Sequence, residues 1–347
     1  MKFIIKFLFI IIITAIALGG YLGYTEYNKF IQEKIVLSPD TAVFEIKKGS
    51  NITQISNALE NKGIISNAIY FKLLARLQEK SSKIKAGEYQ LLPNMTTTNL
   101  LDLFVSGKTL QHQLSIIEGR TFKDLMAIIR NHPTLIQTLS DDDYKNIMTV
   151  IGSDASNPEG WFYPDTYNFP SRTTDIDFLK RAHKKMQAYL AKAWEKREKN
   201  PYIRTPYDAL ILASIVEKET GIPSERPLIA GVFLNRLKID MMLQTDPTVI
   251  YGMGDSYKGV IYKSSLKRDT PYNTYTRKGL TPTPIATPSL QAIDAVLHPA
   301  KTDKLFFVAD GTGGHYFSKT NAEHDKAVVR YRKMLREQKK QASKPAN

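Results

Sequence analysis

The sequence predicts an α+β protein: two folded parts behind a single N-terminal membrane-crossing helix. Three observations carry this. Residues 7–25 contain no charged side chain. Between 43 and 129, a short apolar strand, a tight turn and a polar helix-starting residue follow one another three times. Farther on, an almost wholly apolar helix at 207–220 and a strand pair near 305–317 require a larger body with its own core.

The uncharged run from Phe7 to Thr25 is just long enough to cross a bilayer, which takes about 20 apolar residues as a helix. Lys2 and Lys6 precede it, and Glu26, Lys29, Glu33 and Lys34 follow with no net charge. The positive-inside rule then leaves residues 1–6 in the cytoplasm and exports the rest. Ala15-Ile16-Ala17 resembles a signal-peptide cleavage site, so a cleaved leader is the rival reading. The apolar stretch continues past it through Leu18, Tyr21 and Leu22, which favours an uncleaved anchor.

Residues 26–40 read as a polar spacer. The three strand–turn–helix copies follow. Val43–Ile46 leads into a helix through Ile52, Ile55, Ala58 and Leu59. Tyr89–Leu92 leads past Pro93-Asn94 into a helix through Leu100, Leu101 and Leu103 that stops at Gly107. Leu114–Ile117 leads to Thr121 as N-cap of a helix through Phe122, Leu125, Ile128 and Ile129. Their spacing is unequal, which excludes a solenoid. Residues 175–199 form an amphipathic helix with an apolar stripe from Phe178 to Trp194 and a solvated basic face. The helix at Tyr207–Thr220 is apolar nearly all round and should be buried, with Gly221 and Pro223 ending it. Residues 263–290, rich in Thr, Pro, Tyr and Asn, predict a long ordered loop. Leu305–Ala309, the turn through Gly311–Gly314, and Tyr316-Phe317 read as a β-hairpin, and a Lys/Arg-rich helix closes the chain at 322–340.

Composition sets the outer limits. The 347 residues contain no Cys, which excludes disulfides, Cys-ligated zinc, iron–sulfur clusters and thiol catalysis. The formal charge of +14 at first suggests nucleic acid. However, +7 of it lies in residues 326–347 and +2 in residues 1–35, so the body is only mildly basic. On the exported side of a membrane the available polyanions are headgroups and wall polymers, so no nucleic-acid partner is expected.

Glu217 is the most informative candidate for chemistry. It lies at the C-terminal end of the most apolar helix, where partial burial and the helix dipole both favour a protonated carboxyl. A carboxylic acid kept protonated near neutral pH suits general-acid cleavage of a glycosidic bond. A helix-end Glu pairing with Lys218 or an Arg explains the same position without chemistry. Glu219 points about 200° around the helix from Glu217, so the two cannot form a facing pair. It reads as solvated, or as an orienter of the acid. Asp246 is then the nearest second carboxylate, in the polar stretch Leu243–Thr248. Tyr272–Tyr275 sets two rings around Asn273 and Thr274, which suits sugar stacking or simply loop order. Glu159–Tyr167 reads as an aromatic platform or, in preference, as core at a domain junction. His298, His315 and His324 lack metal-ligand spacing, and there is no G-x-S-x-G, P-loop or dinucleotide-binding glycine pattern.

Taken together and in order, several strings resemble the endolytic murein transglycosylase (MltG, YceG-like) family. They are Glu159–Tyr167, Ala213–Thr220, Val232–Leu237, Leu243–Gly252, Tyr272–Tyr275, Ile285–Pro288, His298–Lys301 and Phe307–His315. The resemblance implies a membrane-anchored enzyme with a small LysM-like domain at 41–115, a catalytic domain at 116–340 and a basic tail at 341–347. It implies cleavage within peptidoglycan strands between N-acetylmuramic acid and N-acetylglucosamine. The muramoyl C6 hydroxyl would attack its own C1 and leave a 1,6-anhydro end. A single Glu would serve as acid and base, and the resemblance places it on Glu217. Glu219, Gln244, Asp246, Asn273 and Tyr275 take supporting or sugar-binding roles. No cofactor or metal is called for. The implied partners are nascent glycan strands and penicillin-binding proteins, at the extracytoplasmic face of the inner membrane. A non-catalytic wall-binding scaffold and a hydrolytic muramidase are the alternatives.

Overall fold

The structure is a computed structural model that describes residues 2–342, so most of the expected tail at 341–347 lies outside the described residues. The fold is α+β, with fourteen α-helices and six short strands among the described residues. Contacts divide it into two compact units. One comprises the chain up to Gln113 together with Asn168–Arg172, and the other comprises Leu114–Tyr167 and Thr173 onward.

In the first unit, α1 (Lys2–Gln32) contains the apolar run and continues beyond it. Among the described residues it is the one helix long and apolar enough to cross a membrane. The start of the expected spacer, residues 26–32, is therefore helical, for a packing reason. Phe30 is buried, and the Thr97 and Thr98 hydroxyls donate to the Phe30 and Ile31 carbonyls at 2.6 and 3.0 Å. Strand β1 (Val43–Ile46) is followed by α2 (Ile52–Asn61), α3 (Ala68–Leu77) and β2 (Gly87–Gln90). The strands pair antiparallel, Val43 opposite Gln90 and Ile46 opposite Gly87. α4 (Thr97–Ser106) ends at Gly107 in the left-handed conformation that glycine adopts freely. Phe44, Leu59, Phe71, Leu74, Tyr89 and Phe104 form a closed core, and burying each such side chain is worth about 1.5–3 kcal/mol. Tyr89 also satisfies its hydroxyl, donating to the Lys85 and Phe104 carbonyls at 2.7 and 3.1 Å.

Strand β3 (Gln111–Ser115) pairs with β4 (Thr166–Pro170). In the second unit, the turn helices α5 (Phe122–Arg130), α6 (Asp141–Lys145) and α7 (Ile147–Val150) precede the long α8 (Asp175–Glu195). α9 (Pro206–Glu219) starts with Thr205 as N-cap and Pro206 in its first turn, and Ala209 through Val216 are all buried. α10 (Arg226–Lys238), α11 (Asp246–Met253), α12 (Lys263–Lys267) and α13 (Leu290–Leu297) follow. α8, α10, α11 and α13 pack on α9, and one apolar core runs through the group. Strand β5 (Phe306–Ala309) pairs antiparallel with β6 (His315–Ser318), and α14 (Asn321–Ala342) packs against that hairpin.

Several expected bounds shift. The strand expected at 89–92 is 87–90, and the Leu91 N–H still donates to the Ala42 carbonyl at 2.9 Å beyond its end. The strand expected at 114–117 is 111–115. Glu159–Tyr167 lies within the second unit, where Phe162 and Tyr167 are buried core residues.

Candidate active site

α9 delivers its last turn, Glu217-Lys218-Glu219, to a polar surface, and the two carboxylates diverge as a helix requires. Glu217 is only 9% exposed and is held by three donors. Arg226 Nη2 lies 3.3 Å from Oε1, the Ser289 N–H donates to Oε2 at 3.1 Å, and the Ser289 hydroxyl donates to the same oxygen. Ser289 is also the N-cap of α13, so Glu217 locks α9, α10 and α13 together. Lys218 donates instead to the Gly119 carbonyl at 3.1 Å. The reading of Glu217 as a helix-end ion pair is therefore realised, with Arg226 as partner.

Glu219 departs from its expectation. It is neither a solvated helix-end residue nor an orienter of Glu217. It lines a polar cavity of about 580 Å³ together with Arg236, Gln244, Asp246, Tyr275 and His315. It also lines a second polar cavity of about 430 Å³ with Glu118, Arg120, Asp124 and Glu217. Among the described residues no other borders both. Burial pushes the Glu219 carboxyl above its usual range and the Asp246 carboxylate adds to this, while a hydrogen bond from the Thr245 hydroxyl and the charges of His315 and Arg236 pull it back.

The walls of the larger cavity are held by backbone carbonyls. Arg236 donates from Nε to the Leu305 carbonyl at 2.7 Å and from Nη1 to the Leu243 carbonyl. Its charge is thereby fixed beside Glu219 in a place where burial lowers its pKa. Gln244 adopts φ +48°, a left-handed backbone uncommon outside glycine, and its N–H donates to the Thr274 carbonyl at 3.0 Å. Tyr275 donates its hydroxyl to Asp246 at 2.6 Å, and burial followed by that bond raises its pKa.

Asn273 does not reach the cavity. It is 1% exposed, and its amide donates to the Leu266 and Arg268 carbonyls at 3.1 and 2.7 Å while accepting from the Tyr275 N–H at 2.8 Å. Its expected sugar-binding role is corrected to one of holding the loop that carries Tyr275. The second cavity is likewise tied down: the Gly119 N–H donates to the Thr287 carbonyl, and the Thr287 N–H to the Arg120 carbonyl, each at 2.8 Å.

Sequence reasoning missed Arg226, Ser289, Arg236, His315 and the 118–124 stretch as site residues. Arg236 and His315 lie inside strings singled out above, but His315 was weighed only as a metal ligand.

Residues 44–330 match the model of the YceG-like family. A relative from Bacillus subtilis (strain 168), named endolytic murein transglycosylase, is 32% identical over 328 residues covering 89% of this chain and 90% of the relative. One of the same name from Streptococcus pneumoniae serotype 2 is 29% identical, and the match covers 95% of this chain but 65% of that longer protein. A crystal structure of a yceG-like protein from Listeria monocytogenes matches with a TM-score of 0.51 at 32% identity, over 85% of this chain and 99% of that one. With the family model matching most of its length, the chain belongs to the YceG-like family.

Proposed function

We propose that the protein is a membrane-anchored lytic transglycosylase that cuts peptidoglycan glycan strands internally, with Glu219 as the general acid. One observation carries this reading: among the described residues Glu219 alone borders both of these polar cavities, and its surroundings favour the protonated carboxyl. An enzyme that cuts within a polymer needs sugar-binding space on both sides of its acid. The names of the relatives from Bacillus subtilis and Streptococcus pneumoniae support the same reading.

The reaction needs little from the protein. Glu219 protonates the glycosidic oxygen as it leaves C1 of N-acetylmuramic acid. Once that bond has broken, the sugar's own C6 hydroxyl closes onto C1 and gives its proton to the Glu219 carboxylate, which leaves a 1,6-anhydro end and restores the acid. The role expected of Glu217 thus passes to Glu219, because Glu217 is committed to Arg226 and Ser289. Asp246, tied to Tyr275, contributes negative charge that favours the protonated form of Glu219 and the positive charge developing at C1. Gln244 and Tyr275 offer an amide and a ring to sugar hydroxyls and faces.

A hydrolytic muramidase is the second reading, favoured by Asp246 as another carboxylate in the same cavity. In the first unit, the β1–α2–α3–β2 order with its antiparallel pair supports a LysM-like, wall-binding module. α1 supports an anchor with residues 1–6 in the cytoplasm and the rest outside. In that position the enzyme would end strands as penicillin-binding proteins make them. Digesting purified glycan strands with the full-length protein and weighing the products tests the reading. Anhydro-ended fragments support it. Reducing ends establish the hydrolase, and intact strands leave only the scaffold.

A further inference from the structure

We propose that the larger cavity beside Glu219 takes the muramoyl residue that is cut, and that Arg332 reads a carboxylate on that residue's O3 substituent. This rests on the transglycosylase reading and gives the strand a direction across the site. Four arginines border the two helix-end carboxyls or their cavities. Arg226 is spent on Glu217, and Arg236 on the Leu305 and Leu243 carbonyls. Arg332, on α14, lines the larger cavity, is exposed, and makes no hydrogen bond or ion pair among the described residues. Its neighbour on the helix, Arg330, lies instead over the Tyr316 ring at 5.2 Å. Arg120 is likewise unpaired among the described residues, in the smaller cavity, but Glu118 and Asp124 share those walls.

The two cavities therefore differ in charge. With Glu219 protonated and its histidines neutral, the larger holds Arg236 and Arg332 against Asp246, two positive charges against one negative. In the smaller, Arg120 and Lys218 stand with Glu118, Asp124 and Glu217, which leaves no positive excess.

The substrate has the matching asymmetry. N-acetylglucosamine is neutral, whereas N-acetylmuramic acid carries on O3 a lactyl ether with a methyl and a carboxyl group. Val308 and Ala309 of β5 line the same cavity as Arg332. They give the methyl an apolar wall beside a guanidinium, which can hold a carboxylate through two parallel N–H donors. Asp246 argues for the same direction. It lines the larger cavity, and the positive charge that it favours develops at C1 of the muramoyl residue rather than on the departing sugar. The carboxylate belongs to the lactyl group itself in strands without peptide stems, and to the stem where one is attached.

The test uses the full-length protein in detergent and two pairs of purified strands. One pair keeps its peptide stems. The other is stripped of them, so that each lactyl group ends in a carboxylate. Within each pair, one sample has its carboxylates capped as methylamides. The rate of new chain ends gives kcat and KM, and binding of the same strands to the Glu219→Gln protein gives affinity without cleavage. Capping should raise KM and weaken binding about ten-fold in at least one pair, at nearly unchanged kcat. The pair that responds identifies the lactyl group or the stem as the source. Arg332→Gln should abolish the difference, and Arg332→Lys should keep part of it. Arg330→Gln, which removes the same charge from the same helix, should leave it intact. Capping without effect in either pair, an Arg332→Gln protein that still prefers uncapped strands, or an equal loss in Arg330→Gln overturns the assignment and leaves the transglycosylase reading intact. A wild-type protein that makes no anhydro ends overturns that reading, while the binding ratios still decide whether Arg332 reads the carboxylate.

Discussion

Glu217 and Glu219 are two residues apart and chemically identical, yet the structure separates their roles. Glu217 lies in a nearly closed ion pair. Replacing it by Ala leaves the Arg226 charge buried without its partner, which should cost about 3 kcal/mol of stability, measurable by denaturant unfolding. Glu219→Gln should leave stability nearly unchanged and lower strand cleavage about 1,000-fold. A third carboxyl behaves differently again. Glu159 is buried, accepts from the Phe122 N–H at 2.9 Å and the Tyr251 hydroxyl at 3.0 Å, and is pushed by burial to a pKa of about 7. Its folded pKa lies above its unfolded value of 4.5, so its contribution to stability is complete below that pH. The contribution falls as pH rises through about 7, by about 3 kcal/mol in total. Glu159→Gln should flatten that part of the stability–pH curve, and an unchanged slope would rule out Glu159 as its source. The sequence showed that the two helix-end carboxyls must diverge. It could not show which of them reaches both cavities, because Arg226, Ser289 and Thr245 reach them from other elements.

At the scale of elements, the site is the exposed end of a buried helix, and its geometry depends on how closely α10 and α13 approach α9. Gly231 marks a close approach on α10. A Cβ there would meet the Ala300 carbonyl oxygen at 2.5 Å, a backbone atom that cannot rotate away. Gly231→Ala should therefore destabilise the fold by about 1–3 kcal/mol, read as a lowered Tm. A Tm equal to wild type would show that the 298–302 segment yields freely. Elements with a clear period were legible: the strand at 43–46, the helices at 52–61 and 122–130, the buried α9 and the final hairpin all form near where the pattern places them. α3 and α13 had no assignment, although Asn67 and Ser289 cap their first turns through side chains. β4 had no assignment beyond Thr166 and Tyr167 at the end of the aromatic stretch, because its partner lies some fifty residues earlier and no local pattern reveals that pairing.

For the whole molecule, the anchor and the first unit share a helix. Tyr27 packs against the core of that unit and Phe30 belongs to it. A chain beginning near residue 26 should leave the membrane fraction and keep its unfolding transition. A chain beginning after Ile35 should lose core side chains and melt earlier. Fractionation and thermal unfolding of the two truncations check this, and equal melting of both would contradict the shared helix. The charge of +14 now has a location, with much of the excess on the C-terminal helix and tail. Family and fold class were legible because ordered strings run along most of the chain. The choice of acid was not, since it depends on cavities that distant segments enclose.

The most direct measurement is product mass from purified glycan strands digested with wild-type, Glu217→Gln and Glu219→Gln proteins, each shown to be folded. Anhydro-ended fragments from wild type, substantial cleavage by Glu217→Gln and none by Glu219→Gln are the predicted result. Full activity of Glu219→Gln alongside an inactive, folded Glu217→Gln would contradict it and return the acid to Glu217.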